Sequence, residues 1–222
     1  MHAEALHFPD SLLVPENKLH LELRTALYLI LKLAFAKAHS VGCDQFVYWD
    51  PRNPKRCLAP DAFLKLDQPD QLFRSWKTWE RGGPPEVAVE VISDVDDPWN
   101  EKLAKYQELG VRELVRFDPD QPAGKRFAVW NRVRGKLVPR TLKGETAPSK
   151  VLSGLRWVVA PILGVGVGPR LAREDGSLLP TERELAKAAT ATAATAKRKA
   201  AAAERELARL RAELAALKKK KT

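Results

Sequence analysis

The chain has 222 residues, 45% of them hydrophobic, and a formal net charge of +10. That is enough for one α/β or α+β domain with a real core plus an extension, and no window approaches the ~20 apolar residues of a membrane span. After residue 180 there are 12 Lys/Arg against 5 Asp/Glu, leaving 26 against 23 in the body, so the basic balance belongs mainly to the tail. A nucleic-acid reading of the body therefore cannot rest on global charge. The opening MHAEALHFPD lacks the basic-then-apolar order of a secretory signal. Two cysteines, Cys43 and Cys57, without a CxxC or Cys/His ligand pattern fit a reducing cytoplasm and argue against structural zinc.

In chain order, residues 17–39 carry apolar side chains at helical spacing (Leu23, Leu27, Ile30, Leu31, Ala34), which predicts one long helix ended before Gly42. Short apolar alternations follow, QFVYW and CLAPDAFLKL, separated by the proline-rich turn DPRNPKR. The stretch PPEVAVEVIS reads as a strand. Asp97 and Pro98 make a good N-cap and first helical position and Gly110 a good stop, which predicts a helix over 98–109. RELVRF, RFAVWN, RGKLVPRTL and GLRWVVAP continue as strands with Gly/Pro punctuation, and the glycines of ILGVGVGPR read as a loop or strand-end bend. They make neither a dinucleotide nor a phosphate-loop fingerprint.

From about Thr181 the text becomes rich in Ala, Lys, Arg and Glu. Leu207, Leu210, Leu214 and Leu217 step by three and four residues, and the seam continues backward through Ala203, Ala200, Ala196 and Ala193. This predicts either a short coiled coil or a solitary amphipathic helix, with a solvated KKKK end. The expected organisation is a domain over 1–180 and a helical tail over 181–222.

The chemistry concentrates in residues 84–106. Alternation puts Val87, Val89 and Val91 on one strand face and Glu86, Ala88, Glu90 and Ile92 on the other. An unpaired buried carboxylate is very costly, so the second face is expected to reach water, a cation or a metal. Asp61, opening another candidate strand, supplies a further acid. Two acids on neighbouring strand ends suit Mg²⁺, which takes one or two carboxylates plus waters and substrate phosphates. Lys102, in the first turn of the next helix, adds a positive charge that orients water or stabilises a developing phosphorane. Alone, Glu90 reads as a strand-end carboxylate beside a surface lysine; with Asp61 and Lys102 it reads as an active site.

These residues resemble the PD-(D/E)xK nuclease superfamily. The run from Pro85-Glu86 through Glu90-Val91, Ser93, Lys102 to Tyr106, Gly110-Val111, Glu113 and Asp118-Pro119 is similar to the signature of the Uma2 family. The resemblance is strong over 60–119 and extends plausibly over 17–180. It implies a restriction-endonuclease-like core, a mixed β-sheet flanked by helices, and metal-dependent hydrolysis of DNA with Mg²⁺ or Mn²⁺. Asp61 then matches the first acid and Glu90 the second, both as metal ligands. The usual lysine position is Ile92, so the lysine is expected from the helix at Lys102. Lys105 is its rival, less well spaced to Tyr106. Glu86 replaces the usual aspartate as a supporting carboxylate, and His20 and Glu22 lie where the superfamily sometimes places an extra ligand or substrate contact.

Asp94, Asp96 and Asp97 are read as ligands or helix caps. VRELVRF carries Leu and Arg where the family often has an aromatic pair, taken as strand-surface variation. Trp76 and Trp79 read as packing residues rather than a stacking surface. A homodimer is compatible with the leucine seam, and neither a small-molecule cofactor nor a membrane partner is expected. The alternative is a catalytically inactive nuclease-fold protein that binds nucleic acid or assembles through its basic tail.

Overall fold

The computed structural model describes residues 17–93 and 98–219. His2, His7, Asp94, Asp96, Asp97 and the last lysines of the KKKK run lie outside the described residues. The chain divides into two compact units, Met1–Thr181 and Glu182–Thr222.

The first helix, α1, spans Lys18–Phe35, with the Asn17 side chain accepting from the His20 amide at 2.8 Å as its N-cap. It stops short of the expected residue 39 because the chain must turn into strand β1, Ser40–Gly42. One aspartate fixes that corner: Asp70 accepts from Lys32 Nζ on the helix and, at 3.1 Å, from the Val41 amide on the strand. Gly42 is therefore a strand residue and not a helix stop. It lies opposite Phe63, and a Cβ there would sit 2.0 Å from the Phe63 ring, so only glycine allows the approach.

Strands β2 (Val47–Tyr48) and β3 (Cys57–Leu58) precede β4 (Ala62–Lys65), and β5 (Trp76–Lys77) precedes β6 (Val87–Val91). Helix α2, Trp99–Leu109, then leads to β7, Glu113–Phe117. Pro98 occupies the N-cap position and not the first helical one, while Gly110 ends the helix with φ of 99°. The remaining strands are β8 (Phe127–Val133), β9 (Lys136–Pro139), β10 (Thr146–Pro148), β11 (Leu155–Ile162) and β12 (Gly166–Arg173). The glycine-rich stretch read as a loop thus turns tightly and runs on as β12, paired antiparallel along β11.

Three sheets result, the largest of them the expected mixed β-sheet. The main sheet has the order β1-β4-β6-β7-β8-β9, and two three-stranded sheets are ordered β10-β11-β12 and β3-β2-β5. In the main sheet β6 and β7 are parallel, joined by α2 as the crossover, and every other pair is antiparallel. The architecture is mixed α+β.

Both faces of the main sheet are packed. Leu27, Ile30 and Leu31 of α1 meet Val87, Val89, Val115 and Val129, with Trp157 and Leu171 closing that core. On the other face Tyr106 and Leu109 of α2 meet Phe63, Ala88, Leu114 and Trp130. Each such aliphatic or aromatic side chain contributes about 1.5–3 kcal/mol on burial. Of the three expected outlets for the Glu90 carboxylate (water, a cation or a metal) it is the Lys102 cation that meets it, and the Glu90 face of β6 is a second core. The same holds for VRELVRF, where Leu114 is fully buried and Arg116 is half-buried against the Trp99 ring at 5.2 Å. Trp76 is core, its Nε1 donating to Gly83 O at 2.9 Å.

Glu113, at the start of β7, ties the elements together. Its buried carboxylate accepts from Asn131 Nδ2 (3.0 Å), Ser149 Oγ (2.5 Å), the Lys150 amide (2.8 Å) and Trp157 Nε1 (2.8 Å). Four donors keep the charge compensated inside the core.

The second unit is one helix, α3, Glu182–Lys219. Thr190, Thr192 and Thr195 return their hydroxyls to the carbonyls of Ala186, Ala188 and Ala191, each at 2.9 Å, which lets threonine sit in a helix interior. Among the described residues no helix is long and apolar enough to cross a membrane.

Candidate functional site

The site lies where β4 gives out beside β6. The last antiparallel pair is Ala62 with Val89, so one step further sets Asp61 beside Glu90, and a second step would bring Pro60 opposite Val91. Proline has no amide hydrogen to continue a ladder. The Pro60 carbonyl instead accepts from the Asp44 amide at 2.8 Å. Both main-chain groups of Val91 are satisfied by side chains. Its N–H donates to Asp61 Oδ2 at 2.7 Å, and its carbonyl lies 2.8 Å from His20 Nε2.

His20 comes from the first turn of α1. Its Nε2 is also 3.1 Å from Asp61 Oδ1. Both neighbours of that nitrogen are acceptors, so Nε2 carries the hydrogen and links the aspartate to the strand end. Asp61 is 6% exposed.

Glu90 is 1% exposed and faces α2. Its Oε2 accepts from Lys102 Nζ at 2.6 Å, and its Oε1 accepts from the Tyr106 hydroxyl. Lys102 and Tyr106 are four residues apart, one above the other on the same face of α2, so a single helix supplies both groups. Burial, opposed by the Lys102 charge and reinforced by the Asp61 charge, pushes the Glu90 carboxyl up to about 7. The Lys102 ammonium and the Asp61 carboxylate thus act on the Glu90 carboxyl in opposite senses.

The other expected residues fall elsewhere. Glu86 sits before β6, at the opposite end from Val91, where Lys65 Nζ and the Leu66 amide, each at 2.8 Å, take up its carboxylate. Lys105 acts on a different partner: its charge lowers the Cys57 thiol, which burial raises more strongly. Glu22, half-buried on α1, lies two residues past His20, about 200° around the helix from it. Among the described residues no three His, Cys, Asp or Glu side chains converge as a metal cluster.

Two participants carried no assigned role in the sequence reading. Tyr106 was legible in principle, because Lys-x-x-x-Tyr is the i, i+4 spacing of one helix face. The Val91 main chain was not, since strand ends carry no side-chain signature.

A mixed sheet with a parallel central pair, a crossover helix, and the Glu90–Lys102 pair beside Asp61 at a strand end make up the candidate site. The chain belongs to the Uma2 family, described as "Putative restriction endonuclease", whose model matches residues 11–161. Uncharacterised proteins of Mycobacterium bovis and Mycobacterium tuberculosis are 27% identical over 99 residues, covering 44% of this chain. The match spans 34% of the length of those relatives. A crystal structure titled as a putative nuclease belonging to DUF820, from Anabaena variabilis, is 9% identical and covers 69% of this chain and 76% of that one, with a TM-score of 0.41.

Proposed function

We propose that this protein is a metal-dependent endonuclease that hydrolyses phosphodiester bonds in DNA, with Asp61, Glu90 and Lys102 as its working residues. The observation that carries this reading is the meeting of two buried acids across the β4–β6 register with Lys102 Nζ 2.6 Å from Glu90 Oε2.

The donor set fits a hard divalent ion. Asp61 and Glu90 offer the carboxylate oxygens such an ion prefers, and burial, which pushes the Glu90 carboxyl up to about 7, is a cost that a bound cation would offset. Asp61 and Glu90 would hold Mg²⁺ or Mn²⁺, which when bound supplies Lewis-acid activation of water and neutralisation of the scissile phosphate.

The chain's own groups do the rest. His20 and the Val91 amide fix the two oxygens of Asp61. Tyr106 and Lys102 fix those of Glu90. Lys102, held 2.6 Å from Glu90 Oε2, is the cation of the set and would stabilise the negative charge that grows on the phosphoryl oxygens. The packing of α2 over Glu90 keeps bulk water from competing with these contacts. The same reading places the protein in a reducing cytoplasm, where Cys43 and Cys57 remain thiols.

The test is incubation of the full chain with supercoiled plasmid and Mg²⁺ or Mn²⁺, beside Asp61→Ala, Glu90→Ala and Lys102→Ala. Nicking or linearisation by the wild type and its loss in all three variants is expected. Cleavage untouched by the substitutions sinks the proposal. A wild type that never cuts, yet retards DNA through its tail, moves the protein to the class of inactive nucleic-acid-binding relatives.

A further inference from the structure

The face of α3 that nothing in its own unit covers carries a pattern of charge that specifies a partner. Leu207, Leu210 and Leu214 are 48%, 50% and 56% exposed. With Leu217 they occupy alternate a and d positions: Leu207 and Leu214 at a, Leu210 and Leu217 at d, preceded by Ala200 at a and Ala203 at d. The residues before each a are then Lys199, Glu206 and Glu213, at g. Those after each d are Glu204, Arg211 and Lys218, at e. In a parallel, in-register pair of helices, each g side chain faces the e side chain five residues on in the other helix. The pairs are Lys199 with Glu204, Glu206 with Arg211, and Glu213 with Lys218. All three join opposite charges.

The antiparallel alternative reads differently. It brings g against g and e against e, and the alignment that overlaps all four leucines sets Glu213 against its own copy and Arg211 against its own copy at its centre. Like charges there oppose that arrangement. Within one helix, Arg209 bridges the two g glutamates, at 3.0 Å to Glu206 and 3.5 Å to Glu213. It holds both along the flank of the leucine seam, and a carboxylate accepts from more than one donor at once.

We infer that α3 docks against α3 of a second copy of this chain as a parallel, in-register coiled coil. The leucine end carries most of the apolar contact, and the alanine positions upstream allow the two backbones to run close together. The seam chooses the partner by burial and the flanks choose the orientation by charge. The inference stands apart from any activity, because it uses no residue of the Asp61–Glu90 site.

The experiment measures the mass and dissociation constant of the full chain by sedimentation equilibrium. A dimer is expected. Glu206→Lys alone, or Arg211→Glu alone, turns both symmetry-related flank pairs repulsive and should weaken association about tenfold. Combining the two substitutions restores opposite charges, and association should return to within about twofold of wild type. The loss of the Arg209 bridge is common to the single Glu206→Lys variant and the double, so recovery in the double isolates the contact between chains. Orientation is read with Ala203→Cys under mild oxidation: in the parallel register this d position meets its own copy and yields a covalent dimer, judged against the wild type with its own two cysteines. A monomer, a higher oligomer, a double variant no tighter than the singles, or no cross-link at position 203 each overturns the inference.

Discussion

Replacing Glu90 with glutamine should flatten the fall in stability that the wild-type protein shows between about pH 5 and pH 8. The folded protein holds the Glu90 proton up to about 7, against 4.5 for the ordinary side chain. In the window between those values the folded state binds the proton and the unfolded state has released it. Stability therefore falls as pH rises through the window and levels off above it. The gap corresponds to about 3 kcal/mol of destabilisation, fully expressed above pH 7 and absent below about pH 4.5. Glutamine keeps the shape, can accept from Lys102 and has no proton to lose, so it mimics the protonated acid at every pH. Urea unfolding followed by tryptophan fluorescence, in chelator, at several pH values for both proteins gives the comparison. At pH 8 the variant should be the more stable by up to about 3 kcal/mol, and near pH 5 the two should converge. Titrating groups remote from Glu90 are common to both proteins and cancel in the difference. Curves that stay parallel across the range would refute the reasoning that burial, uncompensated by Lys102, governs this carboxyl.

Three further outcomes follow from other parts of the structure. Lys102→Met should reduce cleavage about 10²- to 10³-fold in a plasmid assay, whereas Lys105→Met should leave cleavage intact and slow modification of the Cys57 thiol by a disulfide reagent, since Lys105 lowers that thiol. Gly42→Ala must push a Cβ into the Phe63 ring, 2.0 Å away, and should cost about 1–3 kcal/mol in denaturant unfolding. Glu113→Ala strands the donors of Asn131, Ser149, Lys150 and Trp157 and should cost about 3–5 kcal/mol, with Glu113→Gln milder because it keeps one acceptor oxygen.

The strands that pair sequentially by hairpins were legible, because alternation and Gly/Pro punctuation encode them locally: RFAVWN became β8, and RGKLVPRTL became β9, which ends three residues earlier at Pro139. The strand-like GVGPR was not, because its glycines mimic a loop while its pairing with β11 is set by tertiary contact. Gly42 shows the same failure in reverse. It looks like a helix stop in the text, and its reason is a ring that no local pattern can show, that of Phe63 on the adjacent strand. At the site, strand alternation sets Glu90 on the face that α2 covers, whereas grouping Asp61 and Lys102 with it rests on the family resemblance. The separation of Glu86 from that group was not: alternation puts Glu86 and Glu90 on one face but is silent on which end of the strand each partner occupies. Lys65 and the Leu66 amide decide that for Glu86. The depth of burial of Glu90 was missed for a related reason, since a pattern of alternating acids says nothing about a helix laid over them.

The substitution of side chains for a strand at Val91 has a consequence for how the site can change. Asp61 closes an open sheet edge with one oxygen and faces His20 with the other. A variant that trims this acid therefore frays the edge at the same point where it empties the pocket, and loss of architecture and loss of chemistry arrive together. The Pro60 carbonyl, the strand acceptor opposite Val91, already accepts from the Asp44 amide, so it does not take over that N–H. Keeping Pro60 and Asp61 is therefore a demand of the sheet end itself, whatever chemistry the site performs.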